Sequence, residues 1–134
     1  MPDDYSKTTR AIAVTVRASF LAEQSQPEEN RFVWSYLVRI ENRGDVRVQL
    51  LRRTWLITDA RGRVQRVDGA GVVGKQPVLA PGEAFEYASG TPLGTPSGFM
   101  TGSYHMVELA SGTPFEVAIP PFSLDSPHQG GRLH

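Results

Sequence analysis

Residues 32–40 read FVWSYLVRI, and the large apolar side chains fall on every second position. This period of two predicts a β-strand with one buried face. The β-branched and aromatic residues of the segment also suit a pleated, half-buried surface. The segment is followed by Asn42-Arg43-Gly44-Asp45, whose composition is typical of a turn.

The same alternation continues on both sides of this strand. Apolar residues alternate from Ile12 to Phe20 and from Val46 to Leu50, and from Leu51 onward they move to the odd positions. That change of parity predicts a bulge or a bend. Further strands are predicted near residues 64–67, 85–87, 99–109 and 115–122. Seven or more short strands without an amphipathic helix predict an all-β fold: an immunoglobulin-like or fibronectin type III-like antiparallel β-sandwich, with a small barrel as the alternative.

We expect residues 1–134 to form a single domain, with a core from about residue 10 to residue 124 and a flexible tail over residues 125–134. The chain has 14 basic residues, 14 acidic residues and no cysteine, which excludes disulfide bonds and thiolate metal sites. No apolar run approaches the ~20 residues of a membrane span, and the start of the chain lacks a secretory signal pattern. We therefore expect a cytoplasmic protein without membrane insertion.

Positive charge is concentrated in the middle of the chain. Eight basic and three acidic residues lie between Arg43 and Lys75. They are either solvated strand faces or an anion-attracting surface, and the first interpretation is favoured because neighbouring residues of a strand point to opposite faces.

Residues 69–77 read GAGVVGKQP and contain the G-x-G-x-x-G spacing of backbone phosphate cradles. In nucleotide-binding turns a helix follows the glycines, whereas here Pro77 disfavours helical backbone at Gln76. The candidate phosphate site consists of Gly69, Gly71, Gly74 and Lys75, with Arg63 or Arg66 on the strand leading in. The competing and favoured interpretation is a tight inter-strand connection whose glycines adopt positive φ angles.

Other motifs predict less. His105, His128 and His134 lack close metal-ligand spacing, and no Asp/Glu cluster marks a cation site. No nucleophile motif is present, so a hydrolase is only a third hypothesis, and no catalytic residue, metal or cofactor is predicted. The core needs the aromatic residues, so we expect no nucleic-acid binding. The Pro- and Gly-rich segment at residues 89–98 predicts a long loop suited to partner binding.

Six segments resemble the bacterial ApaG family in order and spacing: RFVW (31–34), IENRG (40–44), WLITDA (55–60), GVVGKQP (71–77), LAPGEAFEY (79–87) and TPSG (95–98). Pro127 and His128 fit the family as well. One position departs from it. Family members often have Arg-His-Trp where this chain has Arg53-Thr54-Trp55, which puts in doubt any role that needs the histidine.

The resemblance implies a fibronectin type III-like sandwich of unassigned molecular activity, in a family whose name is linked to cobalt and magnesium efflux. Related eukaryotic domains are fused to an F-box or occur in a polymerase-interacting protein, which implies a binding module. The leading hypothesis is a non-enzymatic module that contacts a protein partner through end loops or a free sheet edge. The alternative is a pyrophosphate- or nucleotide-binding protein that uses the glycine loop. A homodimer through an exposed edge is a further expectation.

Overall fold

The computed structural model describes residues 4–128, which form strands joined by turns and two short 3₁₀ segments, Ala22–Gln24 and Pro27–Glu29. The nine strands are β1 Tyr5–Thr9, β2 Ile12–Phe20, β3 Phe32–Asn42, β4 Val48–Asp59, β5 Val64–Ala70, β6 Val78–Leu79, β7 Ala84–Leu93, β8 Gly98–Glu108 and β9 Pro114–Leu124. This architecture confirms the all-β prediction. Within residues 4–128, no helix is long and apolar enough to cross a membrane.

The strands form two antiparallel sheets, as expected for a sandwich. One sheet has the order β1-β2-β3-β7, and the other has the order β5-β4-β8-β9, with the short β6 paired to the beginning of β4. Strands β3 and β4 follow each other along the chain but lie in different sheets. Their connection therefore crosses from one layer to the other.

The core lies between the sheets and is rich in aromatic side chains. Tyr36 of β3 packs edge-on against Trp55 of β4, with ring centroids 5.4 Å apart, and Trp55 meets Phe122 of β9 at 5.9 Å. Trp34 is also buried. Burial of each such side chain contributes on the order of 2–3 kcal/mol, which explains why the alternating apolar positions specify this packing.

A bulge in β4 determines which of its side chains enter the sandwich. The pairing of β4 with β8 shifts register between Leu50 and Arg52, which confirms the predicted change of parity. Beyond the shift, Trp55 is buried in the core. Arg53 points to the same side as Trp55, because side chains two residues apart share a face of a strand.

The two long sides of the sandwich differ. On one side β1 and β2 pack against β9, and the Ala118 amide donates a hydrogen bond to the Thr9 hydroxyl at 3.3 Å. On the other side β5 and β7 are edge strands of opposite sheets, and a cleft opens between them. We call this the open side.

Two elements differ from the sequence prediction. Strand β1 is mostly exposed, and its residues show no apolar alternation that would have predicted it. Because β1 packs against β2 and β9, the packed region begins before the expected start near residue 10. The prediction of a long loop at residues 89–98 is wrong over the first half of this segment. Strand β7 continues to Leu93, and only residues 94–97 connect it to β8. Pro92 suggested a loop but lies within an edge strand, where proline is tolerated.

The segment after β9 packs onto the end of the domain. Ser126 is buried, and its hydroxyl donates to the Pro96 carbonyl at 2.6 Å. The His128 ring lies 5.8 Å from the Phe20 ring and 5.7 Å from the Phe32 ring, between centroids. The predicted flexible tail at residues 125–134 thus begins in a packed segment, and residues 129–134, including His134, lie outside the described residues.

Candidate functional site

The glycine run ends β5 and then forms a tight turn. Val72 and Lys75 exchange two backbone hydrogen bonds across this turn, at 2.8 Å and 2.9 Å. The two central residues, Val73 and Gly74, have positive φ angles of 43° and 78°, as in a type I′ hairpin turn. A valine in this conformation is strained, so the turn is held by its surroundings.

Three of the backbone amides that a phosphate cradle would use are engaged within the protein. The Gly71 amide donates to the Leu51 carbonyl at 2.8 Å, and the amides of Val72 and Lys75 close the turn. Gly71 has φ of +63°, and an added Cβ would collide with the Lys75 carbonyl oxygen. This close approach explains the glycine without a phosphate.

The predicted site residues are therefore not gathered into one set of free donors. Lys75 is exposed beside the turn, and the space around an added Cβ at Gly74 is open. Arg63 lies 3.7 Å from Asp59 at the far end of β5. The phosphate assignment of Gly69, Gly71, Gly74 and Lys75 stays a prediction.

Arg53 is the cation that lies against the glycine run. Its Nη1 donates to the carbonyl oxygens of Ala70 at 3.1 Å and Gly71 at 2.9 Å. A Cβ added at Gly69 would lie 2.7 Å from the same Nη1, so the glycine makes room for the guanidinium. Arg53 is half-buried, and within residues 4–128 no carboxylate lies within ion-pairing distance of it.

The cleft on the open side has a volume of about 300 Å³. Its floor is formed by core residues that include Tyr36 and Trp55, and its walls come from Gln65 and Val67 of β5 and from residues 89–92 of β7. Arg53 is the one charged side chain that lines it among residues 4–128. The cleft therefore combines an apolar floor, several hydroxyl and amide groups, and a single positive charge.

Buried tyrosines lie under this charge. The hydroxyls of Tyr87 and Tyr104 are 2.6 Å apart in a buried hydrogen bond. Burial raises the pKa of both phenols, and that of Tyr36, above the ordinary value, and the charge of Arg53 opposes this rise in all three. The three tyrosines therefore lie close enough to Arg53 to feel its charge, but as neutral groups they do not compensate that charge.

The edge of β7 offers unpaired backbone groups. The Asn42 amide of β3 donates to the Glu83 carbonyl at 2.9 Å, and bonded and non-bonded pairs alternate along an antiparallel ladder. In the register that pairs Ile40 with Phe85, the odd-numbered residues of β7 bond to β3. The backbone groups of the even-numbered residues face away from β3: Ala84, Glu86, Ala88, Gly90 and Pro92.

The edge of β5 is less accessible. The Arg53 guanidinium donates a hydrogen bond to the carbonyl of Ala70, the last residue of β5. Farther along, Arg66 and Asp68 form an ion pair, with Nε 2.8 Å from Oδ2. Charged side chains and capped carbonyls are features that discourage pairing with another strand.

A second polar group lies on the outer face of the β5-β4-β8-β9 sheet. The Thr54 hydroxyl lies 2.7 Å from Asp68 Oδ1 and 3.0 Å from His105 Nε2, and His105 Nδ1 lies 3.5 Å from Glu116 Oε2. Hydrogen bonds from Arg66 and Thr54 lower the pKa of Asp68, so Asp68 accepts the single hydroxyl proton. Thr54 then accepts its second hydrogen bond from His105 Nε2, so this ring nitrogen carries a hydrogen.

This outer group has the order hydroxyl, imidazole, carboxylate, but it lacks other parts of a hydrolase. The proton of the Thr54 hydroxyl points to Asp68 and not to the imidazole. Backbone amides of a sheet point toward neighbouring strands and not out of its face, so they do not form an oxyanion hole there. The group therefore serves best to tie four strands together.

Sequence reasoning missed Arg53 although a signal was present. The predicted change of parity in β4 placed Trp55 and Ile57 on one face, and Arg53 has the same parity. An arginine at an inward position of a strand needs a partner or an opening. That argument alone would have marked Arg53 as a candidate functional residue.

Comparison with known proteins gives a consistent result. The family model described as the ApaG domain matches residues 22–108. Protein ApaG of Rhodospirillum centenum is 70% identical over 128 residues, covering 96% of this chain and 98% of that protein. Protein ApaG of Paramagnetospirillum magneticum is 62% identical over 130 residues, covering 97% and 99%. A crystal structure of a Bordetella pertussis protein described as ApaA has a TM-score of 0.84 and 48% identity, covering 94% of this chain and 98% of that one.

Proposed function

This chain belongs to the ApaG domain family, and we propose that it is a non-enzymatic binding module that takes an extended strand of a protein partner onto the free edge of β7. The observation that carries the proposal is the unpaired backbone of this edge, which runs along ten residues beside an open cleft. Strand addition to such an edge supplies main-chain hydrogen bonds, and alternate side chains of the added strand enter adjacent pockets.

The small side chains of β7 support this choice of edge. Ala88 and Gly90 are exposed at its centre, so a partner backbone can approach to the ordinary strand spacing of about 4.8 Å. The ion pair of Glu86 with Arg39, at 3.1 Å, and the missing amide at Pro92 limit the accessible length to the middle of the strand.

The other edge strands are less suited than β7 to accept an added strand. Strands β1 and β9 lie against each other's sheets on the closed side. Strand β5 carries the Arg66–Asp68 ion pair, and Arg53 occupies the carbonyl at its end. Only β7 combines an open backbone, small side chains and an adjacent cleft within the part of the chain that the structure describes.

In this proposal the link to cobalt and magnesium homeostasis is indirect. The module acts in the cytoplasm, and its partner carries the cation chemistry. The open edge of β7 supports such an adaptor role, since a free strand edge takes on a partner strand without any catalytic group.

A proline at Ala88 tests the proposal. Its backbone amide faces away from β3, so Ala88→Pro removes a donor from the free edge without removing a ladder bond. Val64→Pro makes the same change on the first residue of β5 and is the matched control. The measurement is affinity capture from cell extract with quantitative mass spectrometry, together with the melting temperature of each variant.

The expected result is a partner retained by the unaltered protein and by Val64→Pro but lost with Ala88→Pro, while all three proteins melt within a few degrees of one another. Retention of every captured partner by a folded Ala88→Pro variant would refute binding at this edge. Capture of nothing above the level of an unrelated β-sandwich would also contradict the proposal.

A further inference from the structure

We infer that Arg53 binds a carboxylate of the partner's strand, so that the segment recognised at β7 carries an acidic residue. This inference rests on the proposed function, because the strand added to β7 is what brings the carboxylate into the cleft. It adds the chemistry of the partner, which the edge geometry alone does not specify.

The hydrogen bonds of Arg53 leave much of its guanidinium available. Both bonds that hold it, to Ala70 and Gly71, come from Nη1. The donors on Nε and Nη2 have no protein acceptor within residues 4–128. Arginine binds carboxylates through two parallel hydrogen bonds, and these two nitrogens form one of the forks that such a pair requires.

The surroundings of Arg53 favour an anion. The other residues that line the cleft are neutral, and they include the hydroxyl of Ser89 and the amide of Gln65. A half-buried cation without a counter-ion is unfavourable, and a ligand carboxylate removes that penalty. The amide of Gln65 provides a further hydrogen bond to carboxylate oxygens.

The positions of the residues that line the cleft define where the acidic residue lies in the partner segment. Arg53 lies near Tyr36, which pairs with Ser89 of β7. Toward Pro92 the cleft is lined by Trp55 and Val67 instead. Side chains on one face of a strand repeat about every 6.8 Å, so the segment places an acidic residue inward and an apolar residue at the next inward position.

Two synthetic peptides test this chemistry on the unaltered protein. Both are acetylated and amidated; one has the sequence TVTETVT and the other has glutamine in place of glutamate. NMR titration of labelled protein measures the dissociation constant from the amides of Ala88 and Gly90 and from the Arg53 side-chain Nε–H. We expect the glutamate peptide to bind at least about tenfold more tightly than the glutamine peptide.

Variants assign the preference to one residue. Arg53→Gln is expected to abolish it, and the neighbouring Arg52→Gln, which changes an exposed arginine, is the matched control. Gly69→Ala retains the charge of Arg53 but displaces the flexible guanidinium, so it is expected to weaken binding of the glutamate peptide in the same way.

Equal affinity for both peptides, absence of binding by both, or a preference that survives Arg53→Gln overturns the inference. The proposed function is judged separately by Ala88→Pro. If that variant loses a cellular partner while the peptides are not distinguished, strand addition at β7 stands and carboxylate recognition by Arg53 does not.

Discussion

At the level of single residues, Gly69 and Gly71 serve two different purposes within three positions. An added Cβ at Gly69 meets the flexible end of Arg53, whereas at Gly71 it meets the backbone carbonyl of Lys75. A side chain can move aside, but a carbonyl held by a hydrogen bond to the Val72 amide at 2.8 Å cannot move without opening the turn. Substitutions at these glycines should therefore separate function from stability.

Gly71→Ala is expected to lower the free energy of unfolding by about 2–4 kcal/mol, because it combines a positive φ angle with a backbone collision. Gly74→Ala has a similar positive φ but open space around the new Cβ, so it should cost only about 1–2 kcal/mol. Urea unfolding followed by tryptophan fluorescence measures both. Equal losses in the two variants would show that the turn relaxes around Gly71.

At the level of elements, alternation predicted the strands whose faces differ most in burial. Strand β3 and the parity change of β4 were predictable because apolar side chains mark the inward face. Strand β1 was not, since it lies at an edge and all its residues after Tyr5 are polar. The end of β7 was not predicted because Pro92 is typical of a loop. Proline is compatible with a strand only at a free edge, and the sequence does not show that β7 is an edge strand.

The glycine turn shows why the candidate site was predictable only in part. Glycine spacing identifies a place where backbone approaches backbone, but it does not say whether the amides face a ligand or a neighbouring strand. Here the Gly71 amide bonds to Leu51 of β4. Arg53 reaches the turn from that same strand and bonds to carbonyls 17 and 18 residues farther along the chain. No local motif could associate residues so far apart in sequence.

Titration with pyrophosphate tests the glycine turn directly. Because the amides of Gly71, Val72 and Lys75 already donate to backbone carbonyls, we expect no saturable NMR shifts at these residues with pyrophosphate or ATP, with or without Mg²⁺. Sodium chloride at matched ionic strength is the control for general screening of surface charge. Saturable shifts confined to residues 69–75 would instead support the nucleotide-binding alternative.

At the level of the whole molecule, the sandwich closes on one long side and stays open on the other. The closed side is joined by β1, β2 and β9, whereas β5 and β7 leave the cleft between them. The open side brings together the bulge of β4, the glycine run of β5 and the small residues of β7. These features are distant in sequence, and the topology makes them neighbours.

The buried tyrosines of this open side should limit stability at high pH. Tyr87 and Tyr104 have pKa values raised by burial, whereas tyrosines of the unfolded chain ionise near pH 10. Above about pH 10 the native state therefore binds more protons than the unfolded state, so the free energy of unfolding falls as pH rises, by up to about 1.4 kcal/mol per pH unit for each protonated tyrosine. This stabilisation is complete below pH 10.

The double variant Tyr87→Phe with Tyr104→Phe should make this dependence less steep, because it removes two of the three tyrosine hydroxyls whose pKa is raised by burial and leaves that of Tyr36. The double change is preferable to either single one, since a single change leaves a buried hydroxyl without its partner at a cost of about 1–3 kcal/mol. Tyr5→Phe on the edge strand β1 is the control and should keep the slope of the unaltered protein. Urea unfolding between pH 8 and about pH 11.5 measures the slopes. A double variant that loses stability with pH as steeply as the control would show that other groups, and not the tyrosine pair beneath Arg53, govern the alkaline limit.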